Sequence, residues 1–194
     1  MSRVRIVPAN EASADDLDLV MREGGDARSC RCQWFKLPQS QWKATGTQAR
    51  ADALVEQARC GQPGEQSTGL VAFVDDEPAG WVAVEPRVAY PRLLTARVPW
   101  TGREEDRTDP DVWAITCFVV RKAHRGRGLA RELARAAVDH ARASGARAVE
   151  GYPVVGDADV SSLYVGAVSV FAAAGMTEVS RPTPRRAVMR LDLR

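Results

Sequence analysis

The sequence predicts a mixed α/β (α+β) sheet domain, and three observations lead there. Residues 112–120 (VWAITCFVV) form an almost continuous apolar run, rich in β-branched and aromatic side chains, as expected of a buried central strand. A glycine turn at 125–128 and a helix over about 129–143 follow at once. A further strand and helix come next, so the second half reads strand–turn–helix–strand–helix. A chain of 194 residues, 45% hydrophobic and 27% charged, suits one domain over 1–194.

Each element has its own signal. Val4–Val7 alternates like a short strand, ended by Pro8 and Asn10. Ser13 precedes Asp15, Asp16 and the apolar set Leu17, Leu19, Val20 and Met21, which predicts a helix stopped at Gly24-Gly25. An arm follows over 28–60. It holds Cys30, Cys32, Trp34, Phe35 and Trp42, then a helix over about 47–59 closed by Gly61–Gly64. Residues 70–74 and 80–84 predict a hairpin around the turn Asp75–Pro78. Residues 86–110 form a long loop with a charged tip at 103–107. Such loops are often functional or mobile, and this one has room for a strand at 93–98. Along helix 129–143, Leu129, Leu133, Ala136, Ala137 and His140 share one face, opposite Arg131, Arg135 and Arg142. Strand 148–152, a helix over 161–174 with Ser161 as cap, and a last strand over 188–193 complete the reading.

Several function classes are disfavoured. No run approaches the roughly 18 apolar residues of a membrane span, and no secretory leader opens the chain. Four cysteines are too few for a disulfide scaffold. No metal site is expected. Cys30 and Cys32 lack further thiolates at ligand spacing, and both histidines, His124 and His140, lie in the other half. A net charge of +2 gives no bulk grip on nucleic acid. Of the 27 basic residues only Lys36, Lys43 and Lys122 are lysines.

The segment from Cys117 to Ala130 carries the chemistry. A buried strand feeds a turn rich in glycine and arginine, and the turn opens a helix. Backbone N–H groups at a helix start lack intrahelical partners, and the helix dipole adds positive charge. Gly126 and Gly128 let an anion approach closely. Together these make a phosphate or pyrophosphate cradle, with Arg121, Lys122, Arg125, Arg127 and Arg131 around it. The segment lacks the Gly-Lys-Ser/Thr end of a nucleotide-triphosphate loop. Arg131 stands where a dinucleotide fingerprint needs its third glycine. A plain glycine turn with solvent-facing arginines explains fewer of these features.

Arg125-Gly-Arg-Gly-Leu-Ala130 resembles the R-x-x-G-x-G/A signature of the GNAT superfamily of acyltransferases. The later and earlier elements match that family in order, and only 117–130 is specific. The stretch 113–118 (WAITCF), with 150–153 (EGYP), is similar to a bacterial GNAT subgroup of undefined substrates. The resemblance implies a mostly antiparallel twisted sheet flanked by helices, with acetyl-CoA or another acyl-CoA bound at splayed central strands. It assigns cofactor binding to Phe118, Val119, Val120, Arg125, Gly126, Arg127, Gly128, Leu129 and Ala130. It implies direct acyl transfer to a small-molecule or peptide amine in the cytoplasm, without nucleic acid or membrane, and leaves a homodimer open.

Such a reaction needs a base for the amine and a donor for the thioester oxygen. The resemblance places that donor on the strand near Val119 or Val120. The family's acid is often a tyrosine at the position that Phe171 occupies here, so it does not carry over. Tyr164 lies two turns earlier on the same face and is the candidate acid. Glu85 and Glu150 are the candidate bases. Glu150 stands among apolar residues, which would raise its pKa on burial. The plain alternatives are a strand-end carboxylate for Glu85, a structural ion pair for Glu150 and a packed tyrosine for Tyr164. His124 is expected to face solvent or phosphate, and His140 to be packed. Trp34, Phe35 and Trp42 either pack in the core or cap the acceptor groove and enclose the amine over their aromatic faces. A non-catalytic acyl-CoA-binding module is the rival reading, motivated by Phe171.

Overall fold

Ser13 opens the first long helix as its residue type predicts. Its hydroxyl accepts the Asp16 N–H while the Asp16 carboxylate accepts the Ser13 N–H, a reciprocal cap. The computed structural model describes residues 3–156 and 164–194. Within them the strands are β1 (Val4–Pro8), β2 (Gly69–Val74), β3 (Glu77–Pro86), β4 (Val112–Val120), β5 (Ala148–Gly151), β6 (Thr177–Thr183) and β7 (Arg186–Asp192). The helices are α1 (Ala14–Arg22), α2 (Ala27–Cys30), α3 (Gln39–Trp42), α4 (Thr47–Ala58), α5 (Pro91–Thr95), α6 (Leu129–Ala143) and α7 (Val168–Ala172).

The strands form one sheet in the order β1-β2-β3-β4-β5-β7-β6. Every pairing is antiparallel except β4 with β5, which the α6 crossover makes parallel. Alternation along the strands gives each face its own core. Val82, Val84 and Ile115 pack under the apolar stripe of α6, at Leu129, Leu133, Ala137 and Ala141. Trp81, Ala83, Cys117 and Val119 pack on the other face under Leu17, Val20 and Met21 of α1 and Leu54 of α4. Each buried valine, leucine, isoleucine or methionine among them contributes about 1.5–3 kcal/mol.

One irregularity positions everything that follows. Ala83 pairs with Cys117 but Val84 pairs with Ile115, so Thr116 is an extra residue in β4. This bulge lets Thr116 and Cys117 fall between Ile115 and Phe118, both of which join the α6-side core.

The structure corrects several expectations. Within the long loop expected over 86–110, residues 91–95 form α5, started by Pro91 at its first turn, where the sequence left room for a strand. The helix expected over 161–174 is short: Gly166 is left-handed at φ 84°, and α7 starts at Val168. Ser161 lies outside the described residues. β6 was not anticipated. It has an exposed pattern with Pro182 in it and forms only by pairing with β7. The hairpin turn is tighter than expected, with Asp75 and Asp76 both left-handed and β3 starting at Glu77. Among the described residues, no helix is long and apolar enough to cross a membrane.

Candidate active site

β4 and β5 separate halfway along their length. They pair only from Val112–Ala148 to Ile115–Gly151, while β4 runs on to Val120 with no strand partner on that side among the described residues. The Arg121 N–H donates to Ala79 O on β3. Backbone direction alternates along a strand, so the N–H groups of Phe118 and Val120 turn to the open side and that of Val119 turns to β3. The Val120 carbonyl on the open side already accepts Arg125 Nε at 2.9 Å.

Beyond β4 the chain turns into the cradle. Gly126 and Gly128 have φ of 74° and 84°, which side-chain-bearing residues rarely adopt, and the space before both is open. Gly128 caps α6. The N–H groups of Gly126 to Ala130 find no acceptor among the described residues, while the N–H of Arg131 is satisfied by Gly128 O. Arg125 and Arg127 are exposed, and Leu129 is buried, so Leu129 offers the site only its backbone. Arg121 is not part of a free cationic patch: it is buried and ion-paired to Glu23 and Glu77. His124, expected to face solvent or phosphate, is buried 3.5 Å from the Glu77 carboxylate.

A cavity of about 670 Å³ runs from here along the open edge of β4. Its walls are β4 from Cys117 to Val120, the turn Gly24–Ala27, Cys30 and Cys32, Trp34 and Trp42, and Tyr164. A smaller pocket of about 340 Å³ beside the cradle shares Val120, Arg125 and Ala130 with it. The lining is mainly apolar, and Asp26 is its one carboxylate among the described residues. Gly24–Ala27 was missed in the sequence because a stop signal says nothing of what the turn lies against.

Tyr164 reaches this cavity and Phe171 does not. Phe171 is fully buried, edge-on to Phe118 with ring centroids 5.6 Å apart, and lies against Gly151. Burial and then the neighbouring Cys117 and Cys30 push the Tyr164 phenol above its ordinary pKa, so it holds its proton at neutral pH.

Neither candidate base lines the cavity. Glu85 is not the exposed strand-end carboxylate considered above. It is ion-paired to Lys36, accepts the Thr68 hydroxyl at 3.3 Å and has Tyr90 as a neighbour. Burial raises its pKa despite Lys36. Glu150 is fully buried on the arginine side of the sheet. It accepts Arg87 at 3.1 Å, Arg190 at 2.7 Å, Arg103 and the Tyr152 hydroxyl at 3.0 Å. Burial alone would push the carboxyl up, as expected. The hydrogen bond and charge of Arg103, with Arg87 and Arg190, outweigh it and hold the pKa below the ordinary value.

The aromatic arm is braced by arginines. Trp34 and Trp42 meet edge to face at 5.0 Å, Arg50 stacks on Trp42 at 3.7 Å and Arg92 on Trp34 at 3.9 Å. One face of each ring is therefore already covered by a cation of the chain itself. His140 packs edge-on against Trp113 at 5.8 Å. No cluster of three potential metal ligands exists among the described residues. A feature the sequence did not reveal is the approach of Cys32 Sγ to Cys117 Sγ, at 3.1 Å.

Residues 32–163 match the model of the acetyltransferase (GNAT) family. No curated protein matches the sequence. The fold is similar to an N-acetyltransferase from Staphylococcus aureus Mu50, with 15% identity, all of both chains covered and a TM-score of 0.59. It is also similar to yncA from Salmonella typhimurium, solved with its cofactor acetyl-CoA. There the identity is 16%, the coverage 98% of this chain and 94% of that one, and the TM-score 0.57. The PaiA N-acetyltransferase from Thermoplasma acidophilum in complex with coenzyme A shares 11% identity over 98% and 99% of the two chains, with a TM-score of 0.56.

Proposed function

Because the chain belongs to the acetyltransferase (GNAT) family, we propose that it transfers an acetyl or other acyl group from acyl-CoA to an amine by direct attack in a ternary complex. The observation that carries this reading is the row of unpaired N–H groups at Gly126–Ala130, continuous with a cavity along the open edge of β4.

The chemistry that acyl-CoA supplies when bound is an activated thioester. The cradle N–H groups, with Arg125 and Arg127, hold its pyrophosphate. Val120, nearer the cradle, offers its N–H to the pantetheine arm. Phe118, deeper in the cavity, offers its N–H to the thioester oxygen, where negative charge develops. This moves the oxyanion donor from Val119 or Val120 to Phe118. Tyr164, protonated and facing the cavity, donates to the leaving sulfur. Glu85, whose raised pKa suits a base and which does not line the cavity, takes the amine proton through a relay rather than by contact. Glu150 is a positioning residue that anchors the 96–111 segment. The acceptor is a small-molecule or peptide amine that enters between Trp34, Trp42 and the Gly24–Ala27 turn. An acyl-CoA donor supports a cytoplasmic reaction, and the bacterial sources of similar folds support a bacterial cell.

The test is calorimetric titration with CoA. The wild type should bind, and Gly128→Asp, which puts a carboxylate into the cradle, should lose at least tenfold in affinity while still melting cooperatively. No binding by the wild type at millimolar CoA, or unchanged affinity in a folded variant, overturns the reading.

A further inference from the structure

Three of the four cysteines, Cys30, Cys32 and Cys117, line the large cavity, and acyl transfer as described uses none of them. Cys32 and Cys117 are 85 residues apart, yet their sulfurs are 3.1 Å apart, inside van der Waals contact. A disulfide bond is about 2.05 Å long, so roughly 1 Å of closure separates the pair from a covalent link.

Two independent irregularities of the backbone bring the sulfurs together. After α2 the chain takes two successive left-handed residues that are not glycine, Arg31 at φ 51° and Cys32 at φ 54°. They turn Cys32 toward the sheet. On the other side, the Thr116 bulge puts Cys117 on the face that Cys32 covers. The Trp81 indole N–H, fully buried on β3, donates to Cys32 Sγ at 3.1 Å. The Cys117 thiol is held protonated by its bond to Cys32 and by burial. The Trp81 N–H polarises the Cys32 sulfur, which marks Cys32 as the attacking thiol, and Cys117, in contact with it, as the resolving one.

We propose that Cys32 and Cys117 are a redox-active dithiol in the wall of the acyl-transfer cavity, oxidised to a disulfide by small hydroperoxides. Cys32 sulfur attacks the peroxide oxygen, and the O–O bond breaks. One oxygen stays as the Cys32 sulfenic acid, and the other leaves as alcohol or water with the Cys32 proton. Cys117 sulfur then attacks the Cys32 sulfur. The S–O bond breaks, and hydroxide leaves as water with the Cys117 proton. Two thiols are oxidised and one hydroperoxide is reduced. The link would fasten the Cys30–Trp34 segment to β4 beside the cavity.

The experiment treats the reduced full-length protein with hydrogen peroxide, alkylates the remaining thiols, and reads intact mass and unreduced peptide maps. The expected product has lost two hydrogens, contains a Cys32–Cys117 peptide pair, and reverts with a thiol reductant. Cys30→Ser and Cys60→Ser should still form it, and Cys32→Ser and Cys117→Ser should not. Four intact thiols in excess peroxide, sulfinic acids without a cross-link, or a cross-link through Cys30 would overturn the proposal. The wild-type map alone decides, whether or not the serine variants fold.

Discussion

Glu85 and Glu150 are the same side chain given opposite characters by their neighbours. Three arginines surround Glu150, and its folded pKa is lowered; burial dominates at Glu85, and its pKa is raised. A lowered carboxyl contributes stability that is complete above its unfolded pKa and is lost as pH falls through the folded value. Glu150→Gln should therefore cost about 3–5 kcal/mol at neutral pH, because it strands buried guanidinium groups. It should also flatten the loss of stability in acid. Urea unfolding between pH 7 and pH 3 checks both, and an acid slope as steep as wild type would count against the assignment. Glu85→Gln should instead lower kcat at neutral pH and remove the acid limb of its pH profile, with CoA affinity kept. The cradle was legible in the sequence because its parts are consecutive: strand, glycines and helix start all fall within 117–130. The surroundings of Glu150 were not, because Arg87, Arg103 and Arg190 lie 63, 47 and 40 residues away. Local apolar neighbours suggested burial correctly and the direction of the pKa shift wrongly.

Among the elements, β4 and α6 were readable because each is continuous and strongly patterned. β6 and α7 were not. β6 alternates weakly with Pro182 inside it, and α7 spans only five residues before the Gly175 stop. Their form depends on partners, β7 for the one and the β5 end for the other. Phe171 shows this dependence. It occupies the space over Gly151, where an added Cβ would collide with its ring. Gly151→Ala should therefore lose about 1–3 kcal/mol through overpacking, seen as a lower melting temperature. A neutral result would mean that the α7–β5 contact yields easily and that Phe171 does not fix the spacing of these elements.

Across the whole molecule, most arginines are exposed, but a distinct subset is built into the interior, with Arg31, Arg87, Arg121 and Arg190 buried. Arg87, Arg103 and Arg190 converge on Glu150, Arg121 bridges Glu23 and Glu77, and Arg50 and Arg92 brace the tryptophans. The 96–111 segment is held by this network. Arg103 reaches Glu150 and Glu105, and Arg87 donates to Asp106 O at 2.7 Å. Arg103→Ala should free the segment, and limited proteolysis should then cut within 96–111 at low protease, sites the wild type protects. Equal cleavage rates would show that Arg87 and Trp100 suffice.

The parting of β4 from β5 has one more consequence. Past Ile115 and Gly151 the described residues leave an open seam at the centre of the sheet. A small molecule with amide groups of its own, lying along Phe118 and Val120, would mend that seam as an added strand does. Occupancy and fold stability are then one thermodynamic quantity, and each factor of ten in ligand above its dissociation constant adds about 1.4 kcal/mol to the folded state. A substrate that occupies the seam would thus raise the stability of the fold as well as supply the reaction.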